Sequence, residues 1–251
     1  CGKTSLKELI GMTLNKLCCV TYSRESFNNK FGVPLSLFNL NPKDDFGVFE
    51  VGMDKKGEID ALTKIIKPDV GVITNISYAH AKNFKNLKQI ALAKSEIMNN
   101  IVSGGSIVLN ADDIFYKFHR KMALKKKLKV YSFSMNKKNA TVSLISIKKE
   151  KSKFKVIMNI NNQKKYFFIS SNFENNLKNL LAAITVISIF KDIKTINKNI
   201  FYNYQIPHGR GDFSKIKINR KNILLIDESY NSNPLSLKSS INNFDLIDSK
   251  H

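Results

Sequence analysis

The sequence contains no apolar run long enough to cross a membrane. The longest run, residues 180–190, falls well short of the ~18 apolar residues that a membrane-spanning helix requires. No secretory leader is visible at its start either. A hydrophobic content of 43% is nevertheless ordinary for a globular core. We therefore expect a soluble protein with no membrane partner.

Cysteine is scarce, with three residues in a chain of 251. Cys18 and Cys19 are adjacent in an apolar stretch typical of a strand. This spacing indicates neither a disulfide framework nor a cysteine metal cluster. Such cysteine usage favours a reducing compartment, so we expect the protein in the cytoplasm.

Acidic residues are also few, since 20 Asp and Glu stand against 41 Lys and Arg, giving a net charge of +21. This excess is typical of a nucleic-acid binder, and equally of an enzyme whose ligands are phosphorylated and acidic. The lysines are scattered among many asparagines and isoleucines, a pattern that biased codon usage produces without a basic face. Their densest run, 125–127, follows a predicted helix, where cations suit the negative end of the helix dipole. Composition leaves these interpretations open.

The most informative stretch is Gly2, Lys3, Thr4 and Ser5, which precedes a run of helical spacing. At a helix start, backbone N–H groups and the helix dipole attract phosphate, Lys3 can reach the terminal phosphates, and the Thr4 hydroxyl can bind Mg²⁺. The first glycine of this motif and an initiator methionine are missing. We therefore expect an internal fragment that begins partway through a P-loop. The helical positions are Leu6, Leu9, Ile10, Thr13, Leu14 and Leu17.

Strand and helix patterns then alternate. Residues 46–51 form a short apolar run with Glu50 near its tip, as a buried parallel strand would, and this carboxylate could hold the Mg²⁺ of the P-loop. A helix at 57–67 ends at Pro68, and a strand at 70–76 is followed by His80, in a loop position where open α/β sheets bind ligands. The alternation predicts a mostly parallel, doubly wound α/β sheet. The other predicted elements here are strands at 18–21 and 106–109, helices at 87–98 and 113–124, and a polar loop with an apolar turn at 28–35.

The pattern changes near Ala140. Stretches 141–147, 154–160 and 165–169 are β-rich and separated by short polar turns, which predicts an antiparallel meander. A helix is predicted at 175–190 and a hinge at 207–211. Beyond the hinge, 213–218 should pair with 223–226, and a further helix should follow. We predict one domain at 1–208 and the truncated start of another at 209–251.

Further short motifs follow one another along nearly the whole chain. They are Asn28 and Asn29 with 32–35, then 50–53, 57–59, 74–76 with Ala79 and His80, 93–97, 108–112, Asn176 and Asn179 with 182–183, 209–210, and 229–234. Together with the cut P-loop, these segments resemble the Mur ligase superfamily, and most closely its MurF type. The asparagine pair before Gly-Val-Pro and the Ser-Tyr-Asn-x-Asn-Pro signature favour that type over sister ligases.

The resemblance implies an ATP-dependent ligase that joins D-alanyl-D-alanine to a UDP-N-acetylmuramoyl tripeptide through an acyl phosphate, in peptidoglycan precursor synthesis. It implies ATP and Mg²⁺ as cofactors, no nucleic-acid partner, a monomer, and a second domain that is Rossmann-like. The fragment alone is expected to be inactive. The residues implied are Gly2, Lys3, Thr4, Ser5, Asn176, Asn179, Arg210 and Glu228 for the nucleotide; Thr4, Glu50 and His80 for Mg²⁺; Lys3, Glu50, His80 and Lys94 for catalysis; and Asn28, Asn29, Tyr230 and Asn231 for substrate.

The sequence departs from the family pattern at several positions. Residues 173–176 replace the family's Gly-Arg-His-Asn, so only Asn176 and Asn179 carry over. Glu228 stands where an aspartate usually binds ribose, and its extra methylene leaves its role open. Lys94 aligns with a lysine that is carbamylated in some sister ligases, although MurF enzymes do not depend on it.

Alternative functions remain open at this point. Another amide ligase of the superfamily, of the folylpolyglutamate or cyanophycin type, would differ in its substrates. A nucleic-acid-dependent P-loop ATPase would bind with a steep dependence on salt. The sequence shows no clustered arginines and aromatic residues that would support such an ATPase.

Overall fold

Strands and helices alternate through the first half of the chain, as the sequence predicts. The computed structural model describes residues 2–78, 83–170, 174–219, 221–230, 237, 238 and 240–242. The helices are α1 (Lys3–Leu14), α2 (Gly32–Phe38), α3 (Glu58–Ile66), α4 (Leu87–Ser95), α5 (Tyr116–Lys125) and α6 (Glu174–Phe190). The strands are β1 (Val20–Tyr22), β2 (Phe46–Val48), β3 (Val70–Ile73), β4 (Ser106–Asn110), β5 (Lys129–Ser134), β6 (Val142–Glu150), β7 (Lys153–Ile160), β8 (Gln163–Ile169), β9 (Asp212–Ile218) and β10 (Lys221–Asp227).

Six strands form one sheet in the order β3-β4-β5-β6-β7-β8. Strands β3 to β6 pair in parallel, whereas β6, β7 and β8 pair antiparallel. The predicted meander therefore continues the parallel sheet at its edge. β1 and β2 form a separate parallel pair, with Val20 opposite Phe46. The predicted α/β fold, mostly parallel with a small antiparallel portion, is confirmed.

Helices cover both faces of the sheet, so its central strand is buried on both sides. In β4, Val108 belongs to a core cluster that also contains residues of α1 and α6. Ile107 and Leu109 belong to a second cluster, with residues of α3, α4 and α5. Every residue of β4 is buried. These two cores are the doubly wound arrangement that the alternation predicts.

Helix α6 supplies much of the first core. Its predicted apolar stripe is buried, with Leu181 and Ile187 at 0% exposure and Ile184 at 1%. This stripe packs against α1, and Asn179 near the beginning of α6 lies beside Gly2, which precedes α1. Even so, within the described part of the chain, no helix is long and apolar enough to span a membrane.

Two elements do not follow from the sequence pattern. Strand β5 begins at Lys129 and directly follows the lysine run at 125–127, so its apolar character is masked by charge. Helix α2 occupies part of the stretch that was predicted as a turn, so that prediction was wrong. Pro34 lies in the first turn of α2, where the missing N–H removes no intrahelical hydrogen bond.

Strands β9 and β10 form the antiparallel hairpin predicted beyond the hinge. The hinge itself contains Gly209 and Gly211 with φ values of +70° and +89°, a conformation that glycine adopts without strain. Apolar side chains of the hairpin are exposed, including Ile218 and Leu225. A domain boundary between residues 208 and 209 remains a prediction.

Replacing Ile184 by alanine tests the first core. The side chain is 1% exposed, so Ile184→Ala should lower the free energy of unfolding by about 2–5 kcal/mol. Ile114 is 78% exposed, and Ile114→Ala should change it by no more than about 0.5 kcal/mol. Urea unfolding followed by circular dichroism measures both variants. Equal losses would contradict the assigned core.

Candidate active site

The beginning of α1 carries four residues of the predicted phosphate cradle, residues 2–5. Gly2 precedes the helix with φ +79°, and a Cβ at this position would lie 3.3 Å from Asn179 Oδ1 on α6. Glycine is therefore favoured by both backbone conformation and space. Lys3 follows at the first helical position with its side chain 37% exposed, so its ammonium is accessible to a ligand at the helix N-terminus. Ser5 is buried and its carbonyl accepts a hydrogen bond from the Tyr204 hydroxyl (2.8 Å).

Thr4 and Glu50 meet at the centre of this site. The Thr4 hydroxyl donates to Glu50 Oε2 at 2.6 Å, and both residues are buried. Parallel pairing of β1 with β2 brings residue 50, just past the end of β2, beside the start of α1. The Glu50 carboxylate also accepts a hydrogen bond from Asn28 Nδ2 (2.7 Å) and lies 3.9 Å from Lys3 Nζ.

The Thr4 and Glu50 oxygens fit Mg²⁺. This ion prefers oxygen ligands and is commonly held by one or two carboxylates together with substrate phosphates and water. His80, the third predicted ligand, lies outside the described residues, so its role stays a prediction. Across the part of the chain that the structure describes, no group of three His, Cys, Asp or Glu residues could hold a metal ion by itself. A cation between Thr4 and Glu50 would therefore need ligands from the nucleotide or from water.

The two asparagines predicted to bind substrate, Asn28 and Asn29, make different contacts. Asn28 faces the site, where it donates to Glu50 and where its Oδ1 would lie 2.8 Å from a Cβ on Gly52. Asn29 Oδ1 instead accepts the N–H groups of Phe31 (3.0 Å) and Gly32 (2.9 Å), two backbone donors at the start of α2. Substrate contacts by either asparagine stay predictions.

The hinge and the hairpin also reach the site. Arg210 Nη2 donates to Ser26 Oγ at 2.8 Å, and its guanidinium lies 3.8 Å from the centre of the Tyr230 ring. Ser26 Oγ in turn lies 3.2 Å from Thr4 Oγ1. The structure therefore connects Arg210 to the cradle through Ser26, a residue that the sequence analysis did not identify. No motif marks Ser26, because its position follows only from the fold of the loop that carries it.

The other predicted residues are distributed around this centre. Asn179 is buried against Gly2, and Asn176 lies one turn earlier on α6. Glu228 packs against Gly211, because a Cβ there would lie 3.0 Å from Glu228 Oε1. Asn231 lies outside the described residues. Binding roles for all four remain predictions.

Lys94 on α4 contacts the loop that follows β3. Its ammonium donates to the carbonyl of Asn75 at 2.7 Å, and Asp113 fixes the same loop by accepting the Ile76 N–H at 2.7 Å. The pKa of Lys94 is lowered to about 8, chiefly by burial and also by the positive charge of Lys3, while Asp113 partly opposes both effects. The charge of Lys3 therefore acts on Lys94, and a catalytic role for Lys94 stays a prediction.

Residues 1–187 match the Mur ligase middle domain family. The chain belongs to this family. It is 33% identical over 248 residues to UDP-N-acetylmuramoyl-tripeptide--D-alanyl-D-alanine ligase of Rickettsia prowazekii, covering 96% of this chain and 53% of that protein. The chain spans about half the length of the curated relatives it matches.

Solved structures show the same likeness to Mur ligases. The crystal structure of MurF from Acinetobacter baumannii superposes with a TM-score of 0.84 at 29% identity, covering 95% of this chain and 51% of that one. MurF from Thermotoga maritima in complex with ADP gives a TM-score of 0.81 at 21% identity, with coverages of 96% and 54%. The fold inferred from the sequence is therefore that of the Mur ligases.

The low pKa of Lys94 predicts a pH-dependent stability for this Mur ligase chain. Between pH 8 and 10.5 the unfolded chain binds a proton that the folded chain releases, so stability rises with pH. Relative to Lys94→Met, the native protein should gain about 2–4 kcal/mol of unfolding free energy across this range. Urea unfolding at a series of pH values measures the difference.

Lys121→Met provides the control for Lys94→Met, because Lys121 is an exposed lysine on α5. Removal of this side chain should leave the pH dependence of the unfolding free energy as in the native protein. A native-minus-Lys94→Met difference that stays constant with pH would contradict the assigned environment of Lys94.

Proposed function

We propose that the full-length protein is an ATP-dependent ligase that joins D-alanyl-D-alanine to a UDP-N-acetylmuramoyl tripeptide. The proposal includes ATP and Mg²⁺ as cofactors, a role in cytoplasmic peptidoglycan precursor synthesis, and a monomeric enzyme. The observation that carries it is the contact between Thr4 and Glu50 at the start of α1, in a chain of the Mur ligase middle domain family. The names of its relatives and the ADP bound in the T. maritima structure support the same assignment.

The phosphates of ATP would lie at the N-terminus of α1. Backbone N–H groups and the helix dipole favour an anion there, and Lys3 offers an accessible ammonium next to it. Thr4, Glu50 and His80 would hold Mg²⁺, which when bound supplies further neutralisation of phosphate charge. Asn176, Asn179 and Glu228 would contact the nucleoside. Arg210, whose planar fork suits phosphate or ribose, would complete the nucleotide site.

The reaction itself would be carried by the substrates in this positive environment. A carboxylate oxygen of the tripeptide bonds to the γ-phosphorus of ATP as the bond to the departing ADP breaks, which gives an acyl phosphate. The amine of D-alanyl-D-alanine then attacks the acyl carbon, loses a proton and displaces phosphate. Lys3 stabilises the charge of the transferring phosphoryl group. Asn28, Asn29, Tyr230 and Asn231 would orient the substrates, and Lys94 would add positive charge at the edge of the site.

A ligation assay with the full-length protein tests this function. Mass spectrometry should detect the amide product only when ATP, Mg²⁺, the UDP-linked tripeptide and D-alanyl-D-alanine are all present. Replacing both substrates by a folate and glutamate should give no product. Ligation of the folate pair, or ATP hydrolysis stimulated by nucleic acid, would instead support one of the alternatives considered from the sequence.

Glu50→Gln should reduce turnover in that assay by at least ~100-fold, the effect of losing one preorganised electrostatic group. The amide keeps the size of the side chain but removes the negative charge that faces Thr4. Glu150→Gln is the control, because Glu150 lies at the end of β6 with a 40% exposed side chain. Near-normal turnover of Glu50→Gln at ordinary Mg²⁺ would show that Glu50 is not a metal ligand.

A further inference from the structure

Lys7 is a buried lysine that the reaction described above does not use. It follows Thr4 by three residues on α1 and is 3% exposed. Its ammonium donates to the carbonyls of Ser23 (2.5 Å) and Glu25 (2.9 Å) and pairs with the Glu8 carboxylate. A buried ammonium is costly unless it is fully partnered, and these contacts supply its partners. Lys7 therefore ties α1 to the loop that follows β1.

That loop supplies side chains that contact the Thr4 and Glu50 pair. Ser23 Oγ accepts the backbone N–H of Glu50 at 3.2 Å. Ser26 Oγ lies 3.2 Å from Thr4 Oγ1, and Asn28 Nδ2 donates to Glu50 Oε1 at 2.7 Å. The orientation of the Thr4 hydroxyl and of the Glu50 carboxylate thus depends on the backbone path of this loop.

The loop also contains a strained backbone position. Glu25 has a φ of +43°, in the left-handed region that residues with a Cβ rarely adopt. Such a conformation persists only where surrounding contacts hold it. The hydrogen bond from Lys7 to the Glu25 carbonyl is a contact of this kind. Glu25 lies between Ser23 and Ser26, so a change in its backbone would move both serine hydroxyls.

We propose that Lys7 is a positioning residue for the cation end of the nucleotide site. Its ammonium holds the carbonyls of Ser23 and Glu25, and the loop in turn keeps Thr4 and Glu50 oriented to take a divalent cation together with ATP. This inference rests on the proposed function, because it concerns the same MgATP site. A lysine that only stabilised the fold would leave the linkage between Mg²⁺ and ATP unchanged.

Calorimetry with the full-length protein tests the proposal, with ATP titrated in excess Mg²⁺ and again in a chelator. The quantity measured is the factor by which Mg²⁺ increases ATP affinity. Lys7→Met should reduce this factor by at least ~10-fold, as is usual when a group that orients metal ligands is lost. A general loss of stability would lower ATP affinity equally in both titrations and leave the factor unchanged.

Lys16→Met is the matched control. Lys16 follows α1 closely, and its ammonium also donates to a carbonyl, that of Ile200 at 2.8 Å, far along the helix from Thr4. This variant should keep the Mg²⁺ factor of the native protein. If Lys7→Met and Lys16→Met give the same factor, the positioning role is refuted. Native protein whose ATP affinity does not depend on Mg²⁺ would instead refute the proposed function, and the positioning role with it.

A second substitution tests the route through the loop. Glycine adopts a positive φ without strain, so adding Glu25→Gly to Lys7→Met should restore part of the Mg²⁺ factor. No restoration would refute the role of the strained turn. If Lys7→Met does not fold, Lys7→Arg keeps the charge beside Glu8 but changes the donor geometry. It should lower the factor in the same direction, and an unchanged factor would overturn the proposal.

Discussion

The buried hydrogen bond between the Thr4 hydroxyl and the Glu50 carboxylate is the contact on which the candidate active site depends. A buried carboxylate is stable only with polar partners, and here Thr4, Asn28 and Lys3 provide them. The bond requires the first turn of α1 to lie beside the end of β2. The parallel pairing of β1 with β2, and the packing of α1 against α6 over the sheet, fix that arrangement.

Positive charge lies beside the Thr4 and Glu50 pair and bears on what the site can bind. Lys3 lies at the helix N-terminus, Lys94 is close enough for its pKa to be lowered by Lys3, and Arg210 reaches Ser26 from the hinge. Such an environment favours a polyanionic ligand and disfavours a further isolated cation. A cation at Thr4 and Glu50 is therefore expected to bind together with phosphate.

The sequence predicted the parts of the fold that depend on periodicity, and missed those that depend on tertiary contacts. The helical spacing after Thr4 and the apolar run before Glu50 were sufficient to predict α1 and the proximity of these two residues. β5 and α2 could not be predicted in the same way. A lysine run precedes β5 and conceals its apolar character, and α2 begins in a stretch whose composition is typical of a turn. The sequence does not single out Lys7 except by its position three residues after Thr4. Its burial depends on the loop that follows β1, which the sequence does not place beside α1.

A double-mutant cycle on Thr4 and Glu50 tests most directly whether they act as one unit. MgATP affinity is measured in the full-length protein for the native sequence, Thr4→Val, Glu50→Gln and the double variant. If both side chains serve one cation, their effects should be coupled, and the double variant should lose at least ~1 kcal/mol less than the sum of the single losses. Additive losses would contradict the account, because they would show that Thr4 and Glu50 contribute to nucleotide binding independently.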